Sequence, residues 1–239
     1  MSEDIHYDKE FARNQFIESG EELLMRALSN QLGVIIDCGS NIGEWARMAR
    51  EFNPNSEIHT FEVVPDTYRM LLKNLKIDDK IIPNGFGLSN YNGTVKMKHC
   101  PNFPALSTHL ENLYVENFEW RNGIVVRGDD YCSSHNIEYI DFLKIDTEGA
   151  EKLVLEGFKN MLDEERIGII QFEYGYANIL SRFLLVDAYE LLIPHGFHIG
   201  KLMPNGIELH EYNLLREDFQ GPNYVAVHHS RMGFLDYRP

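Results

Sequence analysis

The chain has 239 residues, of which 44% are apolar and 25% are charged, and its formal net charge at pH 7 is −15. These values are typical of one α/β domain with a sizeable core, and no apolar run is long enough to cross a bilayer. Because an acidic surface repels phosphate backbones, the charge disfavours a nucleic-acid partner, and the composition also indicates no membrane partner.

The chain begins with the polar segment Met1–Glu10. It lacks the apolar core of a secretory signal, so we expect a cytoplasmic location. Cys38, Cys100 and Cys132 are widely spaced and odd in number. They therefore offer neither a disulfide framework nor a paired zinc spacing, and free thiols in a reducing compartment are expected.

Alternating helices and strands are predicted along the rest of the chain. Apolar positions at helical spacing predict an N-terminal helical extension over residues 1–31, followed by the main domain over residues 32–239. Predicted strands cover 32–36, 57–63, 80–86, 140–145, 167–172, 197–202 and 224–227. Predicted helices cover 41–52, a segment opened by Pro65, 150–162 and 177–193.

One stretch breaks the alternation, at about residues 91–138. It opens with the hairpin signal Asn92-Gly93 and is rich in proline and aromatic residues. We predict an insertion over the sheet, made of a hairpin strand, a loop and a strand near 124–126.

Strands that alternate with helices of this length predict an α/β fold, with a mostly parallel sheet and helices on both faces. The last two strands are predicted to be joined through the turn Pro204-Asn205-Gly206, without a crossover helix. This connection predicts an antiparallel final strand at the end of the sheet.

The end of the first predicted strand carries the first candidate ligand-binding residues, Asp37, Gly39, Asn41 and Gly43. The glycines allow a sharp turn and a close approach of the backbone to a ligand, and Asp37 suits an ammonium group or an ordered water. The alternative is an ordinary strand–helix turn. A dinucleotide fingerprint needs a middle glycine, whereas this turn has Asn41, so a zwitterionic amino-acid moiety suits it better than a pyrophosphate.

Carboxylates follow three other strands. Glu62 can accept hydrogen bonds from ribose hydroxyls, or it is simply an exposed glutamate. Asp146 and Glu173 end two later strands that open into the same cleft, where they can orient a hydroxyl, take its proton or hold a divalent cation. Glu148 and Glu151 follow Asp146. For both, a purely structural role at the start of the next helix is the alternative to a role in the site, and for Glu151 we prefer that structural role.

Taken together, the runs D37-CGSNI-G43, F61-EVV-P65 and I140-DFLKIDTEGA-E151 resemble the FkbM-type family of methyltransferases that use S-adenosylmethionine (SAM). The resemblance extends from about Leu32 to Val227. It implies a seven-stranded, Rossmann-like class I methyltransferase fold, SAM as cofactor, and O-methylation of a hydroxyl on a small molecule, sugar, glycan or secondary metabolite. The cofactor-binding residues are then Asp37, Gly39, Asn41, Gly43, Glu62 and Asp146.

An alcohol is a poor nucleophile near neutral pH, so methyl transfer benefits from a base or a metal. We take Asp146, Glu173 and His109 as the candidate catalytic residues and assign no metal ligands. His109 lies in the insertion, and the alternative of a surface loop histidine is favoured over a catalytic role by its position alone. The pair His228-His229 is interpreted as a strand end rather than as a ligand pair.

Other functions remain to be compared with this one. They are an NAD-dependent oxidoreductase on a Rossmann fold, a non-catalytic SAM-binding module and a nucleic-acid methyltransferase. The missing middle glycine argues against the oxidoreductase, and the acidic net charge argues against the nucleic-acid methyltransferase. The presence of all the candidate cofactor-binding residues argues against a non-catalytic module. A homodimer is left open.

Overall fold

The computed structural model describes residues 9–75, 80–114, 116–221 and 223–235. Its strands are Val34–Cys38 (β1), Glu57–Phe61 (β2), Ile81–Asn84 (β3), Gly87–Ser89 (β4), Gly93–His99 (β5), Glu119–Arg127 (β6), Ile140–Ile145 (β7), Ile167–Glu173 (β8), Phe197–Met203 (β9), Gly206–Leu209 (β10) and Asn223–His228 (β11). Its α-helices are Lys9–Glu18 (α1), Glu21–Ala27 (α2), Glu44–Phe52 (α3), Pro65–Asn74 (α4), Gly128–Ser134 (α5), Glu151–Gly157 (α6), Lys159–Asp163 (α7), Tyr176–Ser181 (α8) and Leu185–Leu192 (α9).

The main sheet has the order β10-β9-β11-β8-β7-β1-β2-β3. Strands β3, β2, β1, β7 and β8 are parallel, and β11 is antiparallel to both of its neighbours. The predicted α/β class and the antiparallel final strand are therefore confirmed. However, β11 lies between β8 and β9 rather than at the end of the sheet.

The main sheet has eight strands instead of the expected seven. The turn Pro204-Asn205-Gly206 joins β9 to the antiparallel edge strand β10, not to the final strand. A tight turn favours pairing between the two segments it connects. The longer segment after β10 then returns the chain to the interior position of β11.

Helices cover both faces of the sheet, because successive strand residues point to opposite sides. Ile35 and Phe142 pack with α2, α3 and α4 on one face. Ile36 and Leu143 pack with α5, α6, α7 and α9 on the other. Helix α2, from the predicted N-terminal extension, thus contributes to the same core as the sheet, while residues 1–8 of that extension lie outside the described residues.

Two predicted helices are divided. The helix predicted over 177–193 is interrupted at Arg182, which has the left-handed φ of 57°. The helix predicted over 150–162 is interrupted after Gly157, whose backbone packs so closely on Ser89 that a Cβ would lie 2.0 Å from the Ser89 carbonyl oxygen. A close tertiary contact therefore accompanies the break at Gly157, and a left-handed backbone residue ends the helix at Arg182.

The insertion folds into a second sheet with the order β4-β6-β5, followed by α5. The predicted hairpin strand and later strand are present, and β5 and β6 pair in antiparallel fashion. The parallel pairing of β4 with β6 was not foreseen, because it joins segments far apart in the chain. Within the described ranges, no helix is long and apolar enough to span a membrane.

Candidate active site

A cleft of about 270 Å³ lies at the carboxyl ends of β1, β2, β7 and β8, against the small β4-β6-β5 sheet. The connection from β1 runs toward β2 on one side, while β7 leads to β8 on the other, so the strand order reverses between β1 and β7. Ligands of open α/β sheets bind at this kind of reversal. Among the residues that line the cleft are six of the predicted site residues, namely Gly39, Asn41, Glu62, His109, Asp146 and Glu173.

Gly39 brings two strands together at the floor of the cleft. Its φ is 79°, and a Cβ there would lie 1.7 Å from the carbonyl oxygen of Asp146. The amide of Asp146 in turn donates to the carbonyl of Cys38 at 3.0 Å. Only glycine fits this contact. The turn after β1 and the backbone of Asp146 therefore hold each other in place.

Glu62 is held in the cleft wall by backbone groups. Its side chain accepts a hydrogen bond from the Val64 amide at 2.8 Å, and only 7% of the residue is exposed. Burial raises the pKa of Glu62 to about 7, although the amides of Val64, Asn41 and Val63 lower it. A carboxylate so placed can accept hydrogen bonds from ligand hydroxyls, and its charge is sensitive to pH near neutrality.

Asp37 and Gly43 do not line the cleft. Asp37 is fully buried, and neither carboxylate oxygen has a hydrogen-bond partner among the described residues. Gly43 precedes α3 with a φ of 87°, and a Cβ there would lie 2.8 Å from a methyl carbon of Leu71. Gly43 therefore allows α3 and α4 to pack closely behind the turn.

A buried cation, Lys144, lies below the cleft floor. Its ammonium is 2.9 Å from Asp146 Oδ2 and 3.7 Å from Asp37 Oδ1, and its side chain is 4% exposed. Burial opposes the charge on Lys144, but the carboxylates of Asp146, Asp37 and Glu21 outweigh that effect and raise its pKa. Lys144 thus compensates the charge of Asp37 and orients Asp146, a role that sequence reasoning missed.

The N-terminal helices contribute to this charged cluster through Glu21, at the start of α2. Gln171 of β8 donates to Glu21 Oε1 at 2.6 Å, and Glu21 is 7% exposed. In the sequence, the signal for this contact is Gln171 itself, because a polar residue in the middle of a buried strand needs a buried hydrogen-bond partner.

Three carboxylates converge in the cleft. One oxygen from each of Asp146, Glu148 and Glu173 lies within 4.8 Å of the others. Burial and then the neighbouring Asp146 raise the pKa of Glu148 to about 8, and burial and Asp146 also raise the pKa of Glu173 well above its usual value. The trio can hold a proton near neutral pH or bind a cation, and Glu148 is a member that was not among the predicted site residues.

Glu151 has the preferred capping role. Its Oε1 accepts hydrogen bonds from the Thr147 amide at 3.0 Å, the Thr147 hydroxyl at 2.9 Å and the Gly149 amide at 3.1 Å. These contacts rigidify the turn that carries Glu148. Glu148 itself has a φ of 52°, so its side chain points away from the helix start and into the cleft lining.

His109 lies on the loop between β5 and β6 and lines the cleft. Burial lowers its pKa, so the imidazole is neutral near pH 7. The preceding residue, Thr108, is fully buried and donates its hydroxyl to the Glu148 carbonyl at 2.7 Å. The Thr108 backbone also pairs with Lys98 of β5 through two hydrogen bonds of 2.8 and 3.1 Å. Thr108, which sequence reasoning missed, therefore fixes the loop over the turn after β7.

Comparison with known families agrees with this geometry. The family model of the methyltransferase FkbM domain matches residues 37–198, which include the glycine turn, Glu62, the acidic trio and His109. The chain belongs to the FkbM methyltransferase family. The resemblance found in the sequence motifs is thereby confirmed.

Curated relatives of this FkbM-family protein are methyltransferases. The methyltransferase sdnD of Sordaria araneosa is 30% identical over 57% of the chain and 63% of its own length. The hexuronic acid methyltransferase AglP of Haloferax volcanii is 28% identical over 65% of the chain and 64% of its length. The 2-O-methyltransferase NoeI of Sinorhizobium fredii is 28% identical over 73% and 76%. The chain therefore spans just under two thirds of the length of the first two relatives.

Among solved structures, a putative caffeoyl-CoA O-methyltransferase from Staphylococcus aureus superposes with a TM-score of 0.50 at 11% identity, over 93% of both chains. At this identity the likeness concerns the fold alone. It agrees with a class I methyltransferase architecture for the FkbM-family chain.

Proposed function

We propose that this FkbM-family protein transfers a methyl group from SAM to a hydroxyl of a small molecule, with a sugar or glycan as the favoured acceptor class. The observation that carries the proposal is the meeting of three groups in one cleft: the glycine turn at Gly39, the buried Glu62, and the carboxylates of Asp146 and Glu173. The names of two relatives, a hexuronic acid methyltransferase and a 2-O-methyltransferase, support a sugar hydroxyl as acceptor.

The residues present fit the two ends of SAM. Glu62, with its free lone pairs in the cleft wall, is the proposed acceptor of the ribose hydroxyls. Asn41 offers a buried Oδ1 without a partner in the described structure, which is available to the amino-acid end. Asp37 acts in this proposal through Lys144, as a buried counter-charge rather than as a direct contact.

SAM supplies an electrophilic methyl on a cationic sulfur. The chain must place the acceptor oxygen in line with that methyl, exclude water and accept the proton of the hydroxyl. Carboxylates near the sulfur are favourable, because a sulfonium offsets the mutual repulsion of Asp146, Glu148 and Glu173.

Two kinds of group can accept the proton. His109 is neutral near pH 7, as a general base must be, and burial raises the pKa of Glu173, which makes its carboxylate a stronger base. We propose that one of these two side chains takes the proton while Asp146, oriented by Lys144, fixes the acceptor. As part of this proposal the protein works in the cytoplasm, and the division at residue 31 separates a helical extension from the catalytic domain.

Isotope-labelled methyl transfer tests the proposal. The full-length protein is incubated with labelled SAM and a panel of acceptors that includes hexuronic acids, neutral sugars and aliphatic alcohols. We expect label on a sugar hydroxyl. The rate of methyl transfer should fall strongly in H109A and E173Q and stay normal in the surface control H198A. Labelling of an amine or of no acceptor hydroxyl, or normal turnover in both site variants, would contradict the proposed chemistry.

A further inference from the structure

A second group of metal-ligand side chains lies at the opposite edge of the main sheet. Glu165 precedes β8, while His228 and His229 stand at the end of β11, and one ligand atom from each lies within 4.8 Å of the others. The cleft is at the other end of β8, six residues away, or about 20 Å at the rise of a strand. The methyl-transfer site makes no use of this cluster.

His228 has an imidazole nitrogen that points into the cluster. The residue is 2% exposed, and its Nε2 has no hydrogen-bond partner among the described residues. The closest charged atom to Nε2 is Glu165 Oε2 at 3.6 Å. A buried ring nitrogen without a partner costs free energy, so its position requires an explanation.

The turn before β9 packs closely against both imidazoles. Gly196 has a φ of 80°, and a Cβ there would lie 2.7 Å from His229 Nδ1 and 3.1 Å from His228 Nε2. Because only glycine fits here, the two ring nitrogens can lie next to each other on the same side of the turn. The amide of His229 donates to the Gly196 carbonyl at 2.9 Å, which fixes this arrangement.

The other ring nitrogen of His228 is held by Ser230. His228 Nδ1 is 2.7 Å from the Ser230 hydroxyl oxygen and accepts from the Ser230 amide at 3.4 Å. Metal-binding histidines commonly donate their second N–H to an oxygen, so in the metal-bound form Nδ1 would donate to the Ser230 hydroxyl and Nε2 would be the ligand atom.

We propose that Glu165, His228 and His229 form a zinc site that ties the end of β11 to the α7–β8 connection. Two imidazole nitrogens and one carboxylate oxygen are a ligand set that zinc accepts in tetrahedral geometry, with bonds of roughly 2.0–2.2 Å and therefore ligand atoms about 3.4 Å apart. The observed 3.6 Å between His228 Nε2 and Glu165 Oε2 is close to that separation. The fourth position is open to water.

The proposed role of the bound zinc is to stabilise the fold and not to take part in methyl transfer, because the site lies about 20 Å from the cleft. Zinc would join two segments that are far apart in sequence: the connection at Glu165 and the strand end at His228 and His229. Binding to the folded state alone then stabilises the fold by mass action.

The experiment measures zinc bound to untagged, chelator-treated full-length protein, by equilibrium dialysis and by the change in melting temperature. We expect one zinc per chain and a higher melting temperature with zinc. H229A and E165A should bind at least about tenfold more weakly and lose the thermal shift, since each loses one ligand. Both replaced side chains are exposed, so folding should persist, and circular dichroism checks this.

Two controls separate this site from other ligands in the chain. H198A removes an exposed histidine of β9 outside the cluster, and E173Q alters the acidic trio in the cleft. Both should bind zinc as the unaltered protein does. No zinc binding by the unaltered protein, equal binding by H229A and E165A, or loss in E173Q would overturn the proposal.

Discussion

The most informative single substitution is Glu62→Gln, which preserves shape but removes a titratable charge. Glu62 is 7% exposed, and its Oε1 already accepts a hydrogen bond from the Val64 amide. A hydrogen bond to a charged group contributes about 1.5–3 kcal/mol, so loss of a ribose contact should weaken SAM binding by roughly 10- to 100-fold. The neutral amide keeps the volume of the side chain, and thermal unfolding checks that the variant is folded.

The same substitution should also change the pH dependence of SAM binding. Because burial raises the pKa of Glu62 to about 7, the carboxylate is mostly protonated at pH 6 and mostly charged at pH 8. If only the charged form accepts the hydroxyls, affinity should rise roughly tenfold from pH 6 to pH 8, in proportion to the charged fraction.

Titration calorimetry at pH 6, 7 and 8 measures both effects. Glu148, whose pKa is about 8, also titrates between pH 6 and pH 8. It contributes the same pH dependence of affinity to the unaltered protein and to E62Q. The affinity of E62Q for SAM should therefore change less with pH than the affinity of the unaltered protein. Equal slopes, or unchanged affinity at pH 8, would refute the assignment of Glu62 to the ribose.

Three further substitutions test the residues that hold the cleft side chains in position. G39A should abolish SAM binding and lower the melting temperature, because its Cβ would overlap the Asp146 carbonyl, whereas G175A, with nothing within 4 Å, should leave binding unchanged; equal effects would contradict the close-approach argument. K144M should lower the free energy of unfolding in urea by about 3–5 kcal/mol, since it leaves buried carboxylates without a cation; the exposed K159M should have little effect, and comparable losses would refute the role of the buried cluster. T108V should reduce methyl transfer while SAM affinity stays normal, and T108S should restore the rate; a parallel loss of SAM affinity would contradict a role confined to placing His109.

Sequence patterns locate the strand ends well, because parallel strands bring their carboxyl ends to one edge. Glu62, Asp146 and Glu173 could therefore be assigned to one cleft before the structure was known. The same reasoning placed Asp37 at the mouth of the cleft. It could not reveal that Asp37 is buried beside Lys144, because side-chain direction at a strand end depends on the neighbouring strand.

Long-range contacts account for the other differences. The parallel pairing of β4 with β6 and the seating of β11 between β8 and β9 join distant segments, and local periodicity carries no information about them. The break at Arg182 was missed because a left-handed backbone at a residue other than glycine has no clear signal in the sequence. Thr108 was missed because its hydroxyl acts on a backbone carbonyl 40 residues away.

Calorimetry of the full-length protein with SAM, S-adenosylhomocysteine and NAD tests the central claim most directly. The cleft geometry predicts that SAM and S-adenosylhomocysteine each bind at one site per chain, compete with one another and bind more weakly to E62Q. NAD should give no saturable heat. Saturable binding of NAD without binding of SAM would contradict the claim that this cleft holds a methyl donor.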